Sequence, residues 1–394
     1  MLKPLFHAWE RRLASVTTDR VVRPFEWGLD WIPRNGHRPG ASDADILDGW
    51  ISAVMADTDA FFTPPPTDDY RVADAPEGTS VLTFPSAFTT PHPENNTVYC
   101  RYFPARGTNS LLAGAGLLAG AGPNKVRPTY PLRPTYGDVA SPPQSRPAVL
   151  VLPQWNAAPG GHVGLCRLLN WAGMSALRLA LPYHDQRMPP ELHRADYIVS
   201  ANIARTVQVC RQAVLDARRA IQWLAAQGYE RIGILGTSLG SCLALLTTAH
   251  EPLIRAEALN HISPHFADVV WRGLSTVHVR QGLDGHIELD RLRALWKPIS
   301  PRWYVNRVRD RRTLLVYARY DLSFPVDLSE DLVREFRELA VPHEVSVLRC
   351  GHYSTGTAPF KFVDGWVLAR FLKDRKSTRL NSSHSRASRM PSSA

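Results

Sequence analysis

Apolar residues in this chain gather into short runs, and between the runs they recur every three or four positions. The runs at 148–152, 232–235, 256–260, 313–317 and 344–348 are bounded by turn-forming residues, and each predicts a strand. Runs without polar interruption predict strands buried on both faces, as in a parallel sheet. Residues 81–84 and 97–103 are candidates for the first two strands. The clearest helix precedes the 232–235 run. Ile203, Val207, Cys210, Val214, Ala217, Ile221 and Leu224 alternate steps of four and three, while Arg205, Gln208, Arg211, Arg218 and Gln222 lie off that stripe. It should pack on the sheet by its apolar stripe and stop at Gly228. Other helices are expected near 162–171, after Ser238, and over 360–373 with Phe362, Trp366, Ala369 and Phe371. Ser42 and Asp45 are placed as a helix cap and its reciprocal partner. Ile46, Leu47, Trp50, Ile51, Val54 and Met55 follow on one face, and Pro64-Pro65-Pro66 bars continuation.

Two segments lack such a pattern. Residues 104–146 contain short duplications, Leu111 to Gly116 repeated over 117–122 and Arg127 to Tyr130 repeated over 133–136, which predict a flexible insertion rather than a solenoid. No lysine followed by Ser or Thr stands at the spacing of a phosphate loop. Residues 262–306 hold Phe266, Trp271, Trp296, Trp303 and Tyr304 with little periodicity, and are expected to form a small cap over a pocket.

The chemistry concentrates where strand gives way to helix. Gly236-Thr237-Ser238-Leu239-Gly240 joins the 232–235 run to the helical run that begins at Ser241. A G-x-S-x-G between strand and helix predicts a sharp turn that lifts the serine Oγ above the sheet edge, with glycines letting strand and helix pass closely. Downstream, Asp321 follows the 313–317 strand, and His352 follows the 344–348 strand after Gly351. Nucleophile, acid and histidine therefore occur in that chain order. A serine hydroxyl is a weak nucleophile at neutral pH, so a histidine must take its proton and an acid must hold the imidazole in the right tautomer. Asp327 lies close enough to compete for the acid's role, but Asp321 follows its strand more closely. His343 precedes the last strand. The backbone N–H of Leu239 and that of Trp155, with Gln154 the rival, are expected to face a developing oxyanion; Pro153 has no N–H to offer. Trp155 also reads as a pocket wall.

In layout, residues 81–373 resemble the α/β-hydrolase superfamily. The resemblance implies a mostly parallel central sheet flanked by helices, with residues 1–75 as an N-terminal helical extension, 76–373 as the hydrolase domain and 262–306 as its cap. Many relatives carry His-Gly where this chain has Pro153-Gln154. Residues 183–252 also resemble the abhydrolase domain-containing eighteen family, through Leu181-Pro182-Tyr183, Trp223-Leu224, Gly228-Tyr229 and the Ser238 motif. Relatives there tend to have Met-Gly-Gly after the serine, whereas this chain has Leu239-Gly240-Ser241. That branch leans toward acyl-lipid substrates. The expected function is a serine hydrolase of carboxylic esters. A ligand-binding protein that keeps the fold, or an acyltransferase using the same triad, are the alternatives. No cofactor is expected. His261 and His265 lack an acidic partner at matching spacing, so no metal is expected either.

Composition narrows the partners. No run of about 18 apolar residues exists, so no transmembrane segment is expected. The start lacks a signal peptide's apolar stretch. Five scattered cysteines fit reduced thiols and a cytoplasmic location. The net charge of +10 would suggest nucleic acid, but residues 374–394 back-translate to a common sequencing-library adapter and are expected to be a disordered read-through tail. Without Asp374, Arg375, Lys376, Arg379, Arg386 and Arg389 the balance is +6, with no basic cluster. The expected partner is a small-molecule or lipid ester, not nucleic acid; oligomeric state is unreadable.

Overall fold

The computed structural model describes residues 2–33, 40–66, 68–105 and 146–374. The expected insertion at 104–146, apart from its ends, and the expected tail after Asp374 lie outside the described residues. Nine strands form one sheet: β1 (Arg71–Ala75), β2 (Thr79–Pro85), β3 (Thr97–Phe103), β4 (Pro147–Leu152), β5 (Ser175–Leu179), β6 (Arg231–Thr237), β7 (Ile254–Asn260), β8 (Arg312–Ala318) and β9 (Glu344–Leu348). Their spatial order is β1-β2-β3-β5-β4-β6-β7-β8-β9. Pairing is antiparallel from β1 through β3 to β5 and parallel from β5 to β9. The expected mostly parallel sheet is present, with two strands, β1 and β5, beyond the seven that the apolar runs predict. β1 reads Arg-Val-Ala-Asp-Ala and is exposed along most of its length. Its charges suit an open sheet edge and hide it from a search for apolar runs.

The central strands are buried on both faces because alternate residues feed different layers. Ala148, Leu150 and Leu152 join a core with the helices α4 (Ile203–Ala226) and α5 (Leu239–His250). Val149 and Val151 join a second core with α3 (Val163–Trp171) and α10 (Phe360–Lys373). α1 (Leu2–Ser15) and α2 (Asp43–Ala56) precede the sheet, and α2 starts with the expected Ser42–Asp45 capping box.

α4 departs from the amphipathic expectation. It is buried nearly all round, because the segment before β1 covers its polar face. Gln208 Nε2 donates to Trp31 O at 2.8 Å, Arg211 Nε to Phe61 O at 2.6 Å, and Arg219 to Pro65 O. The charged side chains off the stripe thus satisfy carbonyls of the extension rather than facing water. Residues 262–306 fold into α6 (Phe266–Arg272), α7 (Val277–Leu283) and α8 (Leu289–Leu295), with short 3-10 turns between them. Seven residues span two turns, too few for a repeat to stand out in sequence. α9 (Val326–Glu338) connects β8 to β9. Among the described residues no helix is long and apolar enough to cross a membrane.

Candidate active site

Five loops meet at the carboxyl ends of the parallel strands. The chain leaves β4 for β5 on one side and returns to β6 on the other, so the sheet reverses direction of growth at β4, where α/β proteins commonly open a crevice. Gln154 and Trp155 follow β4, Ser238 follows β6, His261 follows β7, Asp321 follows β8, and His352 follows β9. Register places them together. Thr237 pairs with Asn260, so the next residues, Ser238 and His261, leave neighbouring strands at the same level.

Ser238 has φ 56° and ψ −119°, a conformation costly for a residue with a Cβ. Its surroundings hold it there. Ser238 N donates to Asn260 O at 2.7 Å, and Ser241 Oγ lies 2.6 Å from Ser238 O and 2.8 Å from His261 O. The Ser241 hydroxyl therefore ties the turn to the loop after β7. A Cβ on Gly236 would overlap the Gly240 backbone, and one on Gly240 would overlap the carbonyls of Leu152 and Pro153. The same close passage sets the loop after β4 against the first turn of α5. There the leading N–H groups have no partner within their own helix. Asn156 N is committed to His184 Nε2 at 2.9 Å. Gln154 N and Trp155 N keep no acceptor among the described residues. Trp155 is fixed by Nε1 donating to Ala195 O at 2.9 Å and by stacking on His278 at 5.6 Å.

Asp321 is buried, and its two oxygens are divided between tasks. Oδ1 accepts Ser323 N and Phe324 N at 2.8 and 2.7 Å. Oδ2 accepts His352 Nδ1 at 3.0 Å and His261 Nδ1 at 2.9 Å. Burial alone would raise the carboxyl's pKa, but the adjoining His352 charge and the two imidazole donors outweigh it and hold it well below the usual range. For His352 burial lowers the pKa, the Asp321 carboxylate more than compensates, and the net direction is up. Each Nδ1 needs a proton to donate to Oδ2, so an imidazole that is neutral at either position carries a bare Nε2. Asp327 lies elsewhere, exposed on α9 and paired with Arg272. A cavity of about 1110 Å3 opens over this cluster, lined by Ser238, His261, His352, Gln154 and Trp155 among others. Asp321, His352, Ser238 and the two rival amides are thus brought together.

His261 has the acidic partner that sequence spacing denied it, since Asp321 lies on another strand's loop. The three ligand atoms of His261, Asp321 and His352 fall within 4.8 Å of one another. They already satisfy each other as two N–H···O bonds, which balances the buried carboxylate without an ion. His265 stands apart, before the first turn of α6.

No family model and no curated protein sequence matches the chain. Solved structures do. The fold is similar to that of an acetyl xylan esterase from Paenibacillus sp. R4, with TM-score 0.53 and 15% identity, over 87% of this chain and 97% of that one. It is similar to acetyl xylan esterase 1 from Thermoanaerobacterium sp. JW/SL YS485, with TM-score 0.54 and 11% identity, over 86% and 99% of the two chains. An acylaminoacyl peptidase from Pyrococcus horikoshii matches over 79% of this chain and 43% of its own, at 12% identity and TM-score 0.50. The chain has the α/β-hydrolase fold.

On that α/β-hydrolase frame the structure adds two residues that sequence reasoning missed. One is His261. The other is Glu10, fully buried in α1, whose carboxylate accepts Tyr353 N at 2.8 Å and Ser354 N at 2.9 Å. It packs so closely on the same loop that a Cβ on Gly351 would collide with it. Phe6, one turn earlier, stacks on Tyr320 at 4.5 Å, beside the acid's loop. A charged residue among apolar helix positions is the signal that could have drawn attention to Glu10, but its partner lies 343 residues away.

Proposed function

We propose that the protein is a serine hydrolase that cleaves a carboxylic ester through an acyl-enzyme. Ser238 Oγ is the nucleophile, His352 Nε2 the base and then the acid, and Asp321 the residue that orients the imidazole. In acylation a bond forms between Oγ and the ester carbonyl carbon, His352 takes the Oγ proton, and the ester C–O bond breaks as that proton passes to the leaving alcohol. In deacylation water replaces the alcohol and the steps run in reverse. Leu239 N–H, with Trp155 or Gln154 N–H, faces the oxyanion.

The observation that carries this reading is the meeting of a strained, cavity-facing serine with an Asp321–His352 pair at the same sheet edge. A protein that merely binds a ligand has no need of a backbone strained at one hydroxyl. The fold is one on which enzymes named for ester hydrolysis are built, which is compatible with the reading. The resemblance of residues 183–252 to the abhydrolase domain-containing eighteen family leans toward acyl-lipid esters. Fluorophosphonate labelling tests the reading. The wild-type protein should label at Ser238 and turn over nitrophenyl esters, and Ser238→Ala should do neither while remaining folded. Undiminished labelling of the variant would overturn the assignment.

A further inference from the structure

Ser238 stands between two spaces of very different size. One is the cavity of about 1110 Å3 already described, which His352 helps to line. The other holds about 40 Å3; it shares Ser238 and Trp155 with the first, and His352 is not part of its wall. Phe324 borders the smaller space and touches the wall of the larger. Its ring stacks on His352 at 5.4 Å with the planes 1° apart.

The chemistry decides which half of an ester occupies which space, granted the serine-hydrolase reading above. The leaving oxygen must receive its proton from His352, so the alcohol departs on the side where His352 is exposed. The acyl substituent then points away from His352. Leu239 and Trp155, both candidate oxyanion donors, line the small space and would hold the carbonyl at its mouth. We propose that the small cavity is the acyl pocket and that it limits the protein to short-acyl esters, of about two to four carbons, carried on bulky alcohols.

Size and lining both support this. A site for one water needs roughly 10–15 Å3 of such space, so 40 Å3 takes about three water-sized groups. The wall is formed in large part by Val199, Leu239, Cys242, Phe266, Val270 and Phe324, each at most 7% exposed. Two of its polar atoms are engaged elsewhere: Cys242 Sγ contacts Ile299 O at 3.3 Å, and Thr276 Oγ1 bonds Val269 O at 3.0 Å. What faces the cavity is mainly carbon. Side chains packed this tightly do not open for a long chain without displacing the wall residues of α5 and α6. The alcohol side has no such limit.

Two ester series test the assignment, with the wild-type protein. In the first, the acyl group grows from acetate to decanoate on one fixed alcohol; kcat/KM should drop by at least about 100-fold between butyrate and octanoate, since each misfit methylene is worth about 10-fold or more. In the second, acetate is fixed and the alcohol grows; kcat/KM should change far less. Val270→Ala should raise the hexanoate-to-acetate ratio of kcat/KM about 10-fold or more by removing part of the wall. A maximum at octanoate or longer, or tolerance of bulky acyl groups with rejection of bulky alcohols, would overturn the pocket assignment and leave the serine-hydrolase reading standing. Turnover that survives undiminished in Ser238→Ala would instead overturn that reading, and the pocket assignment with it.

Discussion

Replacing Glu10 by glutamine should loosen the loop that presents His352, although Glu10 sits near the other end of the chain. The carboxylate accepts two backbone N–H groups, at 2.8 and 2.9 Å, with no exposure to solvent. Hydrogen bonds to a charged acceptor contribute about 1.5–3 kcal/mol each. A glutamine keeps one acceptor, so one N–H retains a weaker, neutral bond. Its amide NH2 must then face the other N–H, donor against donor, and an unsatisfied buried N–H costs about 1–3 kcal/mol. The expected loss is about 2–4 kcal/mol by urea denaturation. A second readout separates this from a general packing defect. The Glu10 charge contributes to raising the His352 pKa, so its removal must lower that pKa. The base is active when neutral, and the acid limb of the kcat/KM profile should therefore move to lower pH in Glu10→Gln. Glu10→Asp keeps the charge but shortens the reach, so it should lose stability while shifting the limb less. A Glu10→Gln protein of wild-type stability with an unmoved acid limb would refute the reasoning.

The remaining expectations concern the site itself. Because the His352 pKa lies above the ordinary 6.5, the acid limb of the wild-type kcat/KM profile should have its midpoint above that value, as a pH titration of initial rates will show. Asp321→Asn should reduce kcat severely by favouring the wrong imidazole tautomer, whereas Asp327→Asn, which breaks an exposed pair with Arg272, should retain nearly full activity and lose less than about 1 kcal/mol of stability. His261→Ala should leave the whole of Asp321 Oδ2 to His352 and move the acid limb upward; an unchanged limb would show that the shared hydrogen bond has no electrostatic consequence. Incubation with a chelator should leave ester turnover unchanged, since His261, Asp321 and His352 satisfy one another; loss of activity restored by a divalent ion would make that cluster a metal site.

Much of the fold could be read from local pattern because its information is local. Uninterrupted apolar runs mark strands with two buried faces, and β4, β6 and β8 are of that kind, while β7 carries Glu257 within its run. β1 escaped because an edge strand buries little and is selected for charge instead. The turn at Ser238 was legible because strand, glycines and helix are contiguous, and the strain they impose needs nothing from elsewhere. The placement of Asp321 and His352 was legible by their position after strands, a weaker signal, since many loops carry an aspartate or a histidine.

What sequence could not reveal is the set of contacts made by residues far apart in the chain. Arg205, Gln208, Arg211 and Arg218 lie off the apolar stripe, where a helix commonly meets water, yet several of them bind carbonyls of a segment more than a hundred residues earlier. The polar stripe predicted water where the fold supplied backbone, because a carbonyl and a water molecule are equally good acceptors and leave the same trace in the sequence. His261 follows the same logic. Its strand position is visible, but its bond to Asp321 depends on β7 and β8 lying side by side, which registers Asn260 against Val316. Glu10 is the extreme case, since a buried carboxylate with no ion pair among the described residues becomes intelligible when the loop N–H groups it accepts are in view. Local pattern thus located the strained turn at Ser238 and the strand ends that carry Asp321 and His352. The electrostatics that tune those partners come from the first helix and from a neighbouring strand, and are set by topology rather than by any motif.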